Sequence, residues 1–214
     1  MKSILVIGLG RFGINTINKL NELGHQIMAI DDKEEKVNAV LPYVTDALIG
    51  NAANEQFLQT LGIDHFDLCI VAIGDSFQNS LQVTSLLKEM GAPYVVSRAS
   101  SDVHAKFLLR NGADQIIYPE KQLAEWTAIR YSSDHIFDYI ELDASCAIFE
   151  IEPPENWVGK SIIELDIRRR YNLNIVGIRL GGRVMIEINP DMQLHKEDRI
   201  LVAGSINSIK KCFR

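Results

Sequence analysis

The chain has 214 residues, of which 47% are hydrophobic, enough for one domain of ordinary size and a smaller second one. Its formal net charge is −6, and its lysines and arginines are scattered apart from the short run 168–170, which argues against a nucleic-acid-binding groove. Three separated cysteines without a CxxC pair and five dispersed histidines argue against a disulfide framework or a zinc site, so a reducing cytoplasm fits best.

We expect no secretion signal at the beginning of the chain. A strand-like run starts almost at once, without a basic segment followed by a long apolar stretch. No apolar run approaches the roughly 20 residues that cross a bilayer. We therefore expect any membrane role to go through a partner.

The first half of the chain alternates short apolar runs with segments of helical length. The runs are "ILVIG" (4–8), "QIMAID" (26–31), "ALIG" (47–50), "LCIVAIG" (68–74), "YVVSRA" (94–99) and "QIIYP" (115–119). Their continuous apolar character is typical of strands buried on both faces of a parallel sheet. Between them, segments such as 12–23 and 76–90 carry apolar residues at helical spacing. Six alternating βα units predict an α/β fold, a Rossmann-like doubly wound parallel sheet.

The pattern changes after Pro119. The segment "EKQLAEWTAIRYSSDHI" predicts a helix that leaves the sheet, and from about Phe137 the apolar runs are typical of half-buried antiparallel strands. These runs are 146–152, 174–180, 183–189 and 199–204. Gly181-Gly182 predicts a two-residue hairpin turn, and "SIIELDIRRRYN" predicts a helix capped by Ser161. We predict a nucleotide-binding domain over 1–134 and a small α+β domain over 135–214.

A glycine loop joins the first strand to the first helix. Gly8, Gly10 and Gly13 form G-x-G-x-x-G, in which the glycines permit a tight turn, close approach of phosphate and close helix packing. Asp31 lies at the end of the second strand, where a carboxylate accepts ribose hydroxyls or caps the next helix. Arg11 lies inside the loop, and its guanidinium either pairs with a γ-phosphate or points into solvent.

These stretches together resemble the RCK domain family. "GLGRFG", "AIDDKEEKVN", the "AIG" after the fourth strand and "GADQIIYPEK" are similar to cytosolic regulators of Ktr/Trk-type potassium uptake systems, over essentially the whole chain. The resemblance implies a non-enzymatic subunit that binds ATP or ADP between paired subunits. It also implies homodimers that assemble into an octameric ring, gate a membrane potassium-transporting subunit and lie in the cytoplasm, at the inner face of the plasma membrane through that partner.

The resemblance also assigns site residues. Arg11 corresponds to an arginine that reaches the γ-phosphate, and Asn51, where many relatives carry aspartate, adjoins the adenosine. Glu120 corresponds to a glutamate that helps hold Mg²⁺ or another cation near the phosphates, although a carboxylate is also favoured at a helix N-terminus. Arg98 faces the phosphates or is an exposed charge at a strand end. The full nucleotide-binding set is Gly8, Gly10, Arg11, Phe12, Gly13, Asp31, Asp32, Asn51, Ala52, Ala72, Ile73, Gly74 and Arg98.

A second pattern lies in the C-terminal part. "IIELDIRRRYNLNIVGI" (162–178) resembles RCK C-terminal domains that bind cyclic di-AMP, with matching positions at Ile162, Ile163, Asp166, Arg168, Asn174, Ile175 and Ile178. Apolar side chains can sandwich adenine faces while an arginine holds phosphates. The alternatives are that the isoleucines are core residues and that Arg168 is a solvated helix charge.

Two other functions stay open from the sequence. A small NAD(P)-dependent oxidoreductase, with NAD(H) as the cofactor, requires a general acid or base near the nicotinamide. His104, which we expect on a helix near the nucleotide pocket or at the surface, is the one candidate that we find near a strand end. The third alternative is a metabolic sensor without a membrane partner.

Overall fold

The computed structural model describes residues 1–143 and 145–213, which fold into two compact units that divide after Gln122. The division falls within a helix, so the domain boundary after residue 134 stays a prediction. In the described part of the chain, no helix is both long enough and apolar enough to span a membrane.

The first unit contains a six-stranded parallel sheet with the strand order β3-β2-β1-β4-β5-β6, which confirms the predicted Rossmann-like fold. The strands are β1 (Ser3–Ile7), β2 (Gln26–Asp31), β3 (Asp46–Ile49), β4 (Leu68–Val71), β5 (Val95–Arg98) and β6 (Gln115–Ile117). The order reverses between β1 and β4, and ligands of such folds bind outside the carboxyl ends of the strands at this point.

Helices cover both faces of this sheet. They are α1 (Arg11–Glu22), α2 (Glu34–Val40), α3 (Glu55–Gln59), α4 (Phe77–Glu89), α5 (Asp102–Arg110) and α6 (Pro119–Tyr131), the last being the predicted helix after the sheet. Ile4 and Val6 of β1 pack in one buried cluster with residues of α1 and α2. Leu5 and Ile7 pack in another with residues of α3 and α4. Burial on both faces explains the continuous apolar runs of the sequence.

The second unit contains a five-stranded sheet in the order β10-β9-β11-β8-β7, in which all pairs are antiparallel. The strands are β7 (Ile136–Asp143), β8 (Cys146–Ile151), β9 (Asn174–Leu180), β10 (Arg183–Met185) and β11 (Arg199–Gly204). The helices are α7 (Ile162–Leu165), α8 (Ile167–Tyr171) and α9 (Ile206–Cys212). Trp157 and Phe149 are among the largest fully buried side chains of this unit.

The predicted hairpin forms at Gly181-Gly182, which connect β9 to β10 with φ angles of 54° and 86°. Both angles are positive, as a type I′ turn requires, and glycine adopts them without steric cost. The prediction for the strand after this turn is wrong in length, because β10 ends at Met185 and not at residue 189. Met185 pairs with Ile178, and the next partner would be Gly177, whose missing side chain weakens strand pairing.

The helix predicted at "SIIELDIRRRYN" is capped as expected but is not continuous. Ser161 and Glu164 form a reciprocal capping box at the start of α7. Asp166 then adopts a left-handed conformation with φ 43° and separates α7 from α8. Aspartate tolerates this conformation better than most residues, so the helical pattern of the sequence conceals a sharp bend.

Candidate functional site

A cleft of about 500 Å³ opens at the carboxyl ends of β1, β2, β4 and β5. It lies at the reversal of strand order, where the sequence predicted the nucleotide. The sequence-predicted residues that line it are Gly8, Gly10, Asp31, Asp32, Asn51, Ala52, Ala72, Ile73, Gly74 and Arg98. The fold therefore gathers into one cleft residues that are up to 90 positions apart in the chain.

The three glycines of the loop have different structural roles. Gly8 has φ 96°, and a side chain there would meet the backbone nitrogen of Ile73 at 3.0 Å. A Cβ at Gly13 would lie 2.1 Å from the carbonyl oxygen of Gly8, so this glycine lets α1 pack on the loop. A Cβ at Gly10 would meet no atom within 4 Å, and Gly10 itself lines the cleft. Gly10 thus leaves the backbone open to a ligand.

The N-terminus of α1 lacks a side-chain cap. Its N-cap residue is Gly10, which has no side chain to accept a hydrogen bond from the first N–H groups of the helix. By contrast, Asn54, Ser76 and Ser101 cap α3, α4 and α5 through their side-chain oxygens. The first N–H groups of a helix need acceptors, and the helix dipole favours an anion. The start of α1 beside the cleft is therefore suited to a phosphate.

Asp31 is a buried carboxylate that ties the cleft together. It accepts hydrogen bonds from the backbone N–H of Leu9 at 2.7 Å and of Lys33 at 3.0 Å, and Lys36 donates to it at 3.2 Å. Burial by itself raises the pKa of Asp31, but these hydrogen bonds and the Lys36 charge together hold it below the ordinary value of 3.8. Asp31 is ionised at neutral pH and keeps free lone pairs for ribose hydroxyls.

Arg98 lines the cleft and lies beside Gly74, in the loop that follows β4. Its Nη1 atom occupies the space next to Gly74, where a Cβ would approach it to 2.1 Å. Its Nη2 atom donates to the carboxylate of Glu120, which begins α6. The backbone N–H of Glu120 itself contributes most to lowering the pKa of this carboxyl, against a smaller opposing effect of burial, and Arg98 lowers it further.

Four predicted residues of the nucleotide site lie beside the cleft and do not line it. Gly13 is buried beneath the loop, and Glu120 is paired with Arg98. Arg11 is exposed on the first turn of α1, so its side chain is available to a ligand phosphate. Phe12 borders a different groove, which it forms with Asn15, Thr16, Lys19 and Leu20. In the described residues, no cluster of three or more His, Cys, Asp or Glu could hold a metal ion.

The sequence reasoning missed several residues of the cleft. Lys33 and Lys36 line it beside Asp31, and Asp75, Ser76 and Asn79 line it at the start of α4. The two lysines are part of "AIDDKEEKVN", and Lys36 lies five residues after the acidic strand end, in the first turn of α2. That spacing was the signal that could have indicated a partner for Asp31. The residues of the α4 start carry no such signal.

His104, the one candidate general acid or base of the sequence, does not line the cleft. It is buried on α5, where its Nδ1 atom accepts a hydrogen bond from the backbone N–H of Ser100. Its ring packs against Phe77 with the centroids 4.8 Å apart. Burial lowers the pKa of His104, so the ring is neutral at pH 7.

The second unit has a separate groove of about 370 Å³. It is lined by six of the seven positions of the C-terminal pattern, namely Ile162, Ile163, Asp166, Arg168, Asn174 and Ile175. Ile178, the seventh, is a core residue that is 1% exposed. Ile163 by contrast is 64% exposed. The groove thus combines solvent-exposed apolar surface with one arginine.

The bend at Asp166 shapes this groove. It separates α7, which carries Ile162 and Ile163, from α8, which carries Arg168. The groove also includes Ile188 and Pro190, which the sequence reasoning missed because they follow the truncated strand β10. Only the fold brings this later segment next to α7, where the backbone N–H of Ile163 donates to the carbonyl oxygen of Pro190 at 2.9 Å.

The fold and the two sites define a class of protein: a Rossmann-like unit with a phosphate-compatible cleft, followed by a small unit with its own groove. The chain belongs to the family of TrkA-N and TrkA-C domain proteins. The TrkA-N domain matches residues 4–119 and the TrkA-C domain matches residues 146–214. These matches confirm the resemblance that the sequence motifs indicated.

Relatives of this chain are potassium uptake proteins. It is 38% identical over 210 residues to the Ktr system potassium uptake proteins C and A of Bacillus subtilis (strain 168), covering 98% of this chain and 95% of each relative. The structure titled "GsuK channel bound to NAD" shares the fold, with a TM-score of 0.74 at 17% identity. This chain is covered completely in that comparison and spans 39% of the GsuK chain.

Proposed function

We propose that this protein is a cytosolic, nucleotide-sensing regulatory subunit of a potassium uptake system. The observation that carries the proposal is the uncapped N-terminus of α1 at the glycine loop, beside a cleft that holds both Asp31 and Arg98. Family membership supports the potassium-uptake role, because the relatives above are named as potassium uptake proteins.

The charges of the cleft favour ATP or ADP as the ligand. The helix N-terminus provides backbone donors for one phosphate, and Arg98 provides a guanidinium for another. Arg11 is exposed at the same helix start, which supports a third contact to a γ-phosphate. Asp31 is ionised and suited to ribose hydroxyls, a group that NAD(H) shares. NAD(H) is therefore the competing ligand, and it is the one named for the GsuK structure.

A binding role fits the cleft better than catalysis. The described residues that line it include no histidine, cysteine or tyrosine, and its lysines lie beside Asp31. An NAD(P)-dependent oxidoreductase needs a proton donor or acceptor next to the nicotinamide. His104 is buried away from the cleft lining, so it does not supply one.

The proposed mechanism is a shift between two assembly states. Homodimers would form an octameric ring beneath the membrane potassium-transporting subunit, and the ring would lie at the membrane only through that partner. A nucleotide shifts such an equilibrium only if it binds the two states with different affinity. Arg11 and Arg98 are the residues through which ATP and ADP would differ, because both are cations at the phosphate end.

Cyclic di-AMP is the proposed second ligand, bound in the groove of the second unit. Ile162, Ile163 and Ile175 offer apolar surface for adenine, and Arg168 offers a cation for phosphate. A two-fold symmetric ligand suits an interface between two copies of this unit, with one half-site from each.

A cation at Glu120 completes the proposal. Glu120 is 59% exposed next to Arg98, so its second carboxylate oxygen is accessible to Mg²⁺ or another hard cation shared with a ligand phosphate. Glu120→Gln should remove any Mg²⁺ or Ca²⁺ enhancement of ATP binding while the protein stays folded. Full persistence of the enhancement in this variant would restrict Glu120 to its pairing with Arg98 and the start of α6.

Calorimetric titration of the full-length protein with ATP, ADP, NADH and cyclic di-AMP tests the proposal. Binding of ATP and ADP without turnover supports a regulatory role, and hydride transfer from NADH would establish an oxidoreductase instead. Binding of cyclic di-AMP that is unaffected by saturating ATP would support two separate sites. The absence of binding by any adenine nucleotide at about 100 μM, roughly −5.5 kcal/mol, would contradict the proposed function.

A further inference from the structure

Arg98 is positioned for two different anions. Its side chain lines the cleft and lies over Gly74, where the absence of a Cβ makes room for the guanidinium. Its Nη2 atom is bound by Glu120, whereas its buried Nε atom has no hydrogen-bond partner among the described residues. A buried N–H without an acceptor is unfavourable, so part of the donor fork of Arg98 is unsatisfied in this state.

Glu120 binds the Arg98 guanidinium, which a ligand phosphate would also use. A guanidinium binds a phosphate or a carboxylate through two parallel N–H donors, and Arg98 cannot direct the same Nη2 donor fully at both. Glu120 also places a negative charge next to the position from which Arg98 would contact phosphates. We propose that, when no cation is bound, Glu120 competes with ligand phosphates for Arg98 and thereby limits the affinity of the cleft for phosphate-rich nucleotides. This inference rests on the proposed nucleotide-binding function.

The pair is suited to exchange of partners. The side chain of Glu120 is 59% exposed, so it regains hydration as soon as it leaves Arg98, whereas only 20% of the Arg98 side chain is exposed. The pair is exposed at its Glu120 end, and solvent screening there keeps the contribution of the pair to stability small. Gly74 leaves room for the guanidinium at the cleft, because a Cβ there would lie 2.1 Å from Nη1.

Removal of the Glu120 charge should strengthen binding of phosphates. Glu120→Gln keeps the size of the side chain and its place at the start of α6, but it replaces a charge-assisted contact with a weaker neutral one. We expect ATP to bind about three- to fivefold more tightly, as the release of one exposed ion pair allows. Adenosine, which has no phosphate, should bind with unchanged affinity.

The experiment is a calorimetric titration of the full-length protein with ATP and with adenosine, in EDTA so that no divalent cation connects Glu120 to the nucleotide. Glu125→Gln is the matched control, because it removes the same charge from an exposed position on α6 that does not line the cleft. It should leave ATP affinity unchanged. In an Arg98→Gln background, Glu120→Gln should no longer strengthen ATP binding, because the shared partner is absent.

Three results would overturn the inference. A Glu120→Gln variant that binds ATP as tightly as the wild type, or more weakly, would exclude competition. An equal gain in ATP affinity in Glu125→Gln would show that the effect comes from net charge alone. A full gain in ATP affinity from Glu120→Gln in the Arg98→Gln background would show that Arg98 is not the shared group. If the wild type binds neither ATP nor adenosine, the proposed function fails instead, so the two failures are distinguishable.

Discussion

The cleft of the first unit and the groove of the second unit are built on different principles. The cleft includes a part formed by backbone, the glycine loop and the uncapped start of α1, and Asp31 and Arg98 in it are held by hydrogen-bond partners. The groove is formed by side chains, with exposed isoleucines and Arg168 on two short helices.

This difference predicts how each site responds to mutation. A backbone site is sensitive to any added atom, because the loop and the helix are already in contact at Gly8 and Gly13. A side-chain site depends on the few groups that it presents, and its fold is secured elsewhere, by core residues such as Trp157 and Ile178. Changes in the cleft should therefore affect folding and binding together more often than changes in the groove.

The largest effect is expected at Gly13, where the loop and α1 are closest. Gly13→Ala would place a Cβ 2.1 Å from the Gly8 carbonyl oxygen, so we expect a loss of about 3 kcal/mol or more in the free energy of unfolding. Gly10→Ala adds the same atom to open space, so stability should change by about 0.5 kcal/mol at most. It should still weaken ATP binding about tenfold, because the phosphate approaches the backbone there.

Urea denaturation and calorimetry measure the two properties separately. Equal stability loss in Gly13→Ala and Gly10→Ala would mean that the packing of α1 on the loop is not the limiting contact. Undiminished ATP binding by Gly10→Ala would place the phosphates away from this loop and would break the contrast between a backbone site and a side-chain site.

Asp31→Asn should weaken ATP and ADP alike and lower the free energy of unfolding by about 1–3 kcal/mol, because it removes a buried, hydrogen-bonded charge. The folded-state pKa of Asp31 lies below 3.8, so this stabilisation is present above that pH and is lost as the pH falls through the folded-state pKa. Urea denaturation at pH 7 and below pH 3.8 should therefore show a difference between wild type and variant that narrows on acidification. A difference that is independent of pH would assign the effect to packing, and the exposed neighbour Asp32→Asn serves as the stability control.

Arg11→Ala should weaken ATP more than ADP, by about 1.5–3 kcal/mol, if its guanidinium contacts the γ-phosphate. The side chain is exposed, so the stability of the protein should not change. Titration with both nucleotides measures the difference, with the exposed Lys19→Ala on the same helix as the control. An equal effect on ATP and ADP would move Arg11 away from the γ-phosphate.

Arg168→Ala should weaken cyclic di-AMP binding about tenfold and leave ATP binding intact, since one charge-assisted contact is lost in the other unit. Arg169→Ala and Arg170→Ala are the internal controls, because neither residue lines the groove. Titration of full-length variants decides between two outcomes. Similar losses in all three variants would indicate general electrostatic attraction, and no loss in Arg168→Ala would make the groove an apolar surface without a phosphate contact.

The doubly wound parallel sheet and the glycine loop were predictable because their signals are local. Continuous apolar runs mark strands buried on two faces, and the spacing of Gly8, Gly10 and Gly13 reflects contacts within one βα unit. The bend at Asp166 was not predictable, because its left-handed conformation interrupts a segment whose apolar spacing continues through it. The extent of β10 was missed for a related reason, since it depends on Gly177 in the neighbouring strand.

By itself, the amino-acid sequence determined the class of fold and the family, because these depend on periodicity and on residues close together in the chain. The tertiary structure alone decided that Arg98 pairs with Glu120. This contact joins β5 to α6, and no spacing rule in the sequence gives the distance between them. Such pairs form where separate strands end and helices begin at one edge of the sheet, so the charges that the cleft presents depend on packing that the sequence pattern does not encode locally.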